Sequence, residues 1–307
     1  MATNNNYQAA QAFSLQFKEM LPAVFQAQAY FGEFFGGSVE VLDGVSNNET
    51  AFYVKTSDIP VVIQDYDTGA NVAFGTGTSN SSRFGELHEI TYSNTPVPYD
   101  WNWAFHEGLD RFTVNNGLEQ AVADRLDLQA QRMVKMFNEH HGKFISDNAI
   151  DSVELAEATS DKDKELLNLF NELSKHYVNV NAVGDRIANV NTDLYNRIVD
   201  HPLTTTAKNS TTNIDENGVV RFKGFTIRET PDELFEDGEV AYVYIANIGK
   251  AFTGINTTRT IDAIDFDGVQ LQGAGKAGQF MLDDNKKAVL KVTASATSEG
   301  EGVTPEG

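Results

Sequence analysis

The densest run of side chains able to do chemistry is Tyr99-Asp100-Trp101-Asn102-Trp103-Ala104-Phe105-His106-Glu107. Carboxylates beside indoles suit carbohydrate, and glycoside hydrolysis uses two carboxyl groups flanking the scissile bond. No second acid can be placed opposite Asp100 or Glu107 from sequence. Large aromatics also dominate ordinary protein contacts. Packing is the stronger reading, and a glycan-binding or glycan-active protein using Trp101 and Trp103 is its rival.

Other candidates carry less. His140-His141 sits near a predicted helix end, and adjacent helical residues point about 100° apart, so the pair does not readily share a metal. A charge at the helix C-terminus or simple solvation is expected there. His88, His106, His176 and His201 stand singly, without metal-ligand spacing. Asp65-Tyr66-Asp67-Thr68-Gly69 and Asp262-Ala263-Ile264-Asp265-Phe266-Asp267-Gly268 are acidic turns. Both lack the alternating ligands and downstream Glu of a calcium loop. Gly273-Ala274-Gly275-Lys276-Ala277-Gly278 has the look of a phosphate cradle but lacks the Lys-Ser/Thr step that opens a helix, so a flexible loop is expected. No nucleophile elbow or dinucleotide fingerprint is present. No catalytic, cofactor-binding or metal residue is assigned, and the chain is expected not to be an enzyme.

The elements that must position these residues come next. The chain has 307 residues and is 41% hydrophobic, enough for a substantial core. It contains no cysteine, which removes disulfides and thiolate chemistry. No apolar run is long enough to span a membrane as a helix, and the first residues lack a signal-peptide pattern. The net charge of -21, from 44 acidic and 23 basic residues, opposes specific nucleic-acid readout, which draws on phosphate neutralisation. It suits a chain that stays soluble when crowded.

Residues 1–37 read as an arm. Four aromatics in six residues, Tyr30, Phe31, Phe34 and Phe35, stand beside glycines and must bury against this chain or another. Strand signals fill residues 39–66, with Phe52, Val54 and the run Ile59 to Ile63, and return over 83–105. The small, polar stretch 67–82 lies between them. Together they predict a long two-stranded excursion with a soft tip, and a hairpin that long needs a partner surface. Leu118, Val122, Leu126, Ala130, Met133 and Phe137 then form one helical stripe, predicting a helix over 117–141 capped by Asn116 and Glu119 and closed by Gly142.

Further on, Leu166, Leu167, Phe170 and Leu173 mark a second helix. Residues 177–183 alternate like a strand. Asn191-Thr192-Asp193 caps a short helix ending at His201-Pro202. Strands are expected from Val219 to Arg228 and from Val240 to Ile248. Residues 251–274 look irregular and Gly-rich, and Phe280 to Val292 looks like a hairpin. The end, from about Ser295, is Ser, Gly, Glu and Pro and is expected to be disordered.

The order of these parts, and the stretch 97–145 from Val97-Pro98-Tyr99-Asp100-Trp101-Asn102-Trp103 through Glu107-Gly108-Leu109-Asp110-Arg111-Phe112-Thr113-Val114-Asn115 into the helix, resemble tailed-bacteriophage major capsid proteins with the Hong Kong 97-type fold, those of phages of Gram-positive hosts above all. The resemblance implies an α+β chain with an N-terminal arm at 1–37. A peripheral domain would comprise 38–54, 101–149 and 261–293, with the spine helix at 117–141. The extended loop would be 55–100, the axial domain 150–260 and an acidic tail 294–307. It implies hexamers and pentamers of this chain in an icosahedral virion shell, assembled in the host cytoplasm around DNA held without sequence preference. A portal protein would be a partner, as would a separate scaffolding protein because the arm is short. The loop's one lysine, Lys55, lies at its base, so non-covalent assembly is expected. Candidate subunit-interface residues are Phe31, Phe34, Phe35, Phe74, Phe84, Tyr99, Trp101 and Trp103. A cellular encapsulin-like compartment on the same fold is the alternative.

Overall fold

The computed structural model describes residues 28–37, 39–42, 50–57, 61–69, 72–73, 82–114, 117–156, 162–202, 213–214 and 220–294. The chain divides into two compact units, Met1–Asp43 with Asp100–Gly307, and Gly44–Tyr99. Its strands in the first half are β1 (Val39–Val41), β2 (Thr50–Thr56), β3 (Ser93–Pro98), β4 (Trp101–Asp110) and β5 (Asp151–Leu155). The second half adds β6 (Arg186–Val190), β7 (Asn213–Ile214), β8 (Val220–Phe222), β9 (Phe225–Glu229), β10 (Glu239–Ile245), β11 (Gly249–Asp262), β12 (Gly268–Met281) and β13 (Val289–Ala294). The longer helices are α1 (Leu118–Asp147), α2 (Lys162–Asn179) and α3 (Thr192–Asp200).

In the larger unit, a seven-stranded mixed sheet runs in the order β5-β13-β10-β6-β9-β8-β7. Its third strand, β10, serves two cores, because successive strand residues face opposite ways. Ala241, Val243 and Ile245 join the core under α2 and α3, built from Leu166, Phe170, Leu173, Leu194 and Ile198. Tyr242 and Tyr244 join a second core with Phe31, Phe34, Phe35 and Ile145. A four-stranded sheet, order β1-β11-β12-β4, makes the rest of the unit.

The helix α1 has 30 residues, so it runs about 45 Å. Of its stripe, Leu118, Val122, Leu126, Met133 and Phe137 are half-buried and Ala130 is exposed. Full burial begins only at Asn138. The expected cap Asn116 lies outside the described residues, and the boundary residue is Gly117. Gly142 does not end the helix. A Cβ there would sit 2.5 Å from the Leu234 carbonyl and 3.3 Å from the Phe31 ring, so the glycine serves close packing. The helix ends instead at Asn148, whose side-chain amide donates to the Phe144 carbonyl at 2.8 Å.

The other expectations divide. The short helix α3 starts as its cap implies, with the Asn191 side chain accepting from Leu194 N at 2.9 Å. The strand from Val219 to Arg228 resolves into β8 and β9, turning at Lys223 and Gly224, both at positive φ. Residues 177–183 are not a strand: α2 continues to Asn179, then turns through Asn181 at φ 53. Residues 251–274 are not irregular, since β11 and β12 pair antiparallel along most of their length. Phe280 to Val292 is not a hairpin: a 3-10 turn over Asp283–Ala288 carries the chain from β12 in one sheet to β13 in the other. The stretch 261–293 therefore does not return as a block, because β13 pairs with β10 and β5 in the seven-stranded sheet. Conversely β11, from residue 249, belongs with the four-stranded sheet. The tail from 295 and the tip residues 74–81 lie outside the described residues.

Gly142→Ala should destabilise the fold by about 1–3 kcal/mol through overpacking against a backbone carbonyl that has little room to give. Denaturant unfolding would read this as a lower midpoint with an unchanged slope.

Candidate self-association surfaces

The aromatic run on β4 is explained by its partner strand. Trp101, Trp103 and Phe105 lie opposite Ala277, Gly275 and Gly273 of β12. A Cβ on Gly273 would come within 2.2 Å of the Phe105 ring, and one on Gly275 within 2.6 Å of the Trp103 indole. The glycines that looked like loop residues are strand positions over which rings lie flat. Trp103 stacks on Phe105 with centroids 5.8 Å apart. Trp101 stacks on His140 of α1 at 4.1 Å and 5°, with Phe137 edge-on at 4.9 Å.

The two carboxylates of this segment are equally engaged. Arg125 of α1 forks onto Glu107, with Nε donating to Oε2 at 2.7 Å, and Gln129 adds a bond to the same oxygen. The Arg125 hydrogen bond holds the Glu107 carboxyl below its ordinary range, against the opposing effect of burial. Asp100 accepts from Gln279 N at 2.9 Å. Trp101 and Glu107 thus bind α1 to its sheet, Trp103 is only 9% exposed, and this covering removes the surface that a glycan reading needs. His106 points to the other side of the sheet, where it meets Gln270 and Gln272.

The aromatics of the arm also find their place within this chain. Phe31 and Phe34 are 0% exposed and Phe35 is 6% exposed. Phe34 packs edge-on against Tyr244 at 4.9 Å and Phe35 lies 4.2 Å from His141. Glu33 forms a two-pronged ion pair with Arg228 of β9, at 2.6 and 3.1 Å. Backbone bonds join Glu33 O to Asn247 N and Phe34 O to Gly249 N. Asn138 of α1 spans Gln28 O and Tyr30 N, and Asn189 of β6 donates to Tyr30 O. Phe31, Phe34 and Phe35 are therefore core residues of one copy, and the expectation that they contact a neighbour is corrected.

His141 is also not the solvated end-of-helix charge expected. It is 7% exposed, between Phe35 and Phe137, and its Nε2 has no hydrogen-bond partner among the described residues. Burial, with a smaller push from His140, lowers its pKa to about 3.

The unit Gly44–Tyr99 is different in kind. β2 and β3 form its antiparallel stem, with Tyr53 opposite Pro96 and Val54 opposite Thr95. Beyond the stem, the two arms 61–69 and 82–92 are not a regular ladder. One side chain substitutes for it: Gln64 donates to Glu86 O at 2.8 Å and accepts from Glu86 N at 2.9 Å. Gly85 makes room for that amide and adopts φ 82. Asp67 N donates to Arg83 O, and Tyr66 meets Phe84 edge-on at 5.2 Å. Along these arms the apolar side chains are open: Val61 92%, Ile63 93%, Phe84 78% and Leu87 95% exposed. Ile90 and Tyr92 are exposed as well. Soluble monomers rarely show so many large apolar groups together. Tyr99, at the base, is half-buried, and burial raises its hydroxyl pKa. Phe74 lies outside the described residues.

Among the described residues no three His, Asp or Glu side chains gather as a metal site, and no helix is long and apolar enough to cross a membrane. The acidic turns use their carboxylates locally, as where Asp67 accepts from Gly69 N at 2.8 Å.

No protein-family model and no curated protein matches the sequence. Solved structures do. The chain matches a structure of Mycobacterium phage Che8 with a TM-score of 0.61 at 14% identity, over 87% of this chain and 92% of that one. It matches the capsid of cyanophage P-SCSP1u at TM-score 0.64 and 10% identity, over 89% and 90%. It matches the mature capsid of bacteriophage PhiM1 at TM-score 0.63 and 10% identity, over 89% of each chain. The fold is the Hong Kong 97-type α+β fold of phage capsid chains.

The buried histidine gives a signed pH dependence. The unfolded chain takes up a proton near pH 6.5 that the folded chain refuses until about pH 3, so stability falls on acidification below about 6.5. Between pH 6.5 and 5 this amounts to about 2 kcal/mol. In His141→Phe the loss of melting temperature over that interval should be visibly smaller than in the parent.

Proposed function

We propose that this chain is the major capsid protein of a tailed bacteriophage, a non-enzymatic subunit that tiles with its own copies, as hexamers and pentamers, into an icosahedral shell around double-stranded DNA. The observation that carries the reading is the exposed apolar unit 44–99 on a chain with this fold. Val61, Ile63, Phe84 and Leu87 gain nothing from remaining in water, and burying each is worth roughly 1.5–3 kcal/mol.

The proposed division of labour follows. The unit 44–99 is the extended loop that docks on an adjacent copy. The helix α1 and the four-stranded sheet form the peripheral part, and the seven-stranded sheet with α2 and α3 forms the axial part. Individually weak contacts suffice, because closure gives each copy several neighbours at once. The net charge of -21 keeps the shell from gripping the genome, so DNA is enclosed without sequence readout. A portal and a separate scaffolding protein complete the set of partners, and assembly takes place in the host cytoplasm.

Coexpression with its scaffold should give closed particles by negative-stain microscopy, and an exclusively monomeric product under those conditions would overturn the reading. Phe84→Ser with Leu87→Ser should leave secondary structure and melting temperature nearly unchanged, since both side chains are exposed. The same variant should lose particle formation; wild-type particle yield would remove the docking role of this unit.

A further inference from the structure

Helix α1 carries more apolar surface than its sheet covers. Ala123, Ala130 and Phe137 recur every seven residues, and Val134 falls beside them, so the four share one flank of the helix. Along that flank Ala123 and Ala130 are exposed, and Val134 and Phe137 are half-buried. One helical turn further on, the same flank reaches His141, and there it is closed. His141 is 7% exposed, with the Phe35 ring of the arm 4.2 Å away. The arm therefore already lies on this flank, but only at its C-terminal end. Its backbone enters beside the open part: Asn138 accepts from Tyr30 N at 3.2 Å and donates to Gln28 O at 2.7 Å. Twenty-seven residues precede Gln28 in the sequence. Among them Ala9, Phe13, Phe17, Met20 and Leu21 recur at spacings of three and four, one apolar stripe of helical period that stops at Pro22. The charged side chains of that segment are Lys18 and Glu19, so it is nearly neutral.

We infer that residues 9–21 dock along the Ala123–Phe137 flank of α1 in the same copy. The reach is right: residues 22–28 span at most about 25 Å, and Leu126 lies about 18 Å from Asn138 along the helix axis. The sizes are complementary. Phenylalanines stand on one side and alanines on the other, so the two elements can approach closely with ridges seated in grooves. The sheet holds a neighbouring face of α1, through Arg125 and Gln129 on Glu107, and leaves this flank to another occupant. The tether decides which one. A segment held by seven residues meets the flank at an effective concentration on the order of millimolar, above that of any free partner before assembly. The inference goes beyond the shell reading and does not depend on it. Each unassembled copy closes its own helix flank, and the unit 44–99 is left as the surface that seeks a neighbour.

Because the chain lacks cysteine, Ala130→Cys places a single thiol on the flank. In the unassembled chain it should react with a maleimide about ten-fold more slowly than Arg132→Cys, on another side of α1. Phe13→Ser with Phe17→Ser should abolish that difference, while the melting transition stays cooperative and the rate at Arg132→Cys is unchanged. Equal rates at the two thiols in the otherwise unmodified chain would overturn the inference, and so would protection that survives the double substitution. Protection that rises with chain concentration, or arises only in particles, would assign the flank to a neighbouring copy and overturn it as well. None of these results touches the shell reading, which stands or falls on particle formation.

Discussion

The larger unit depends on three phenylalanines that belong to no helix or strand. Phe31, Phe34 and Phe35 fill the space between α1 and the tyrosine-bearing face of the seven-stranded sheet. Without them Tyr242, Tyr244 and Ile145 would face a void, and cavities of that kind are costly because close-packed surroundings relax only in part. The segment is fixed from every side, by Arg228 on Glu33, by Asn138 and Asn189 on its backbone, and by residues 247–249 along its edge. Helix, sheet and arm are therefore three parts of one packing problem. The solution also forces a glycine into the C-terminal part of α1, where the Leu234 carbonyl and the Phe31 ring press against the helix backbone.

A second rule organises the four-stranded sheet. Large rings on β4 lie over residues without side chains on β12, so the flat faces of Trp103 and Phe105 meet backbone rather than methyl groups. Ring on glycine lets an aromatic strand pack at the same inter-strand spacing as any other. Trp101, on the same face of β4, meets α1 through Phe137 and His140.

Much of this was legible in the residues. The helical stripe, the Asn191 cap and the hairpin stem of β2 and β3 followed from local pattern, and the order of parts gave the fold. What failed, failed where a distant segment decides. Gly142 and the run Gly273 to Gly278 carry the local signature of a helix stop and a loop, and only Leu234 and the β4 rings reveal why a side chain is excluded. The arm's aromatics had two homes of equal merit on paper, and the choice was made by Tyr244 and His141, far along the chain. Trp101 and Trp103 suggested recognition chemistry because sequence shows composition but not which face of a strand α1 covers.

The alternation along β10 has a mechanical consequence. Sliding that strand by one residue would push Tyr242 and Tyr244 into the space now sized for Ala241 and Val243, and bring small aliphatic groups to the aromatic side. The strand is thus keyed on both faces, like a double-sided gear rack, and a bulge between Glu239 and Ala241 sets its phase against β13. Such a sheet resists shear. In the shell proposed above, curvature differences among copies would be absorbed by rotating rigid pieces about their connections, with the interior of the sheet unchanged.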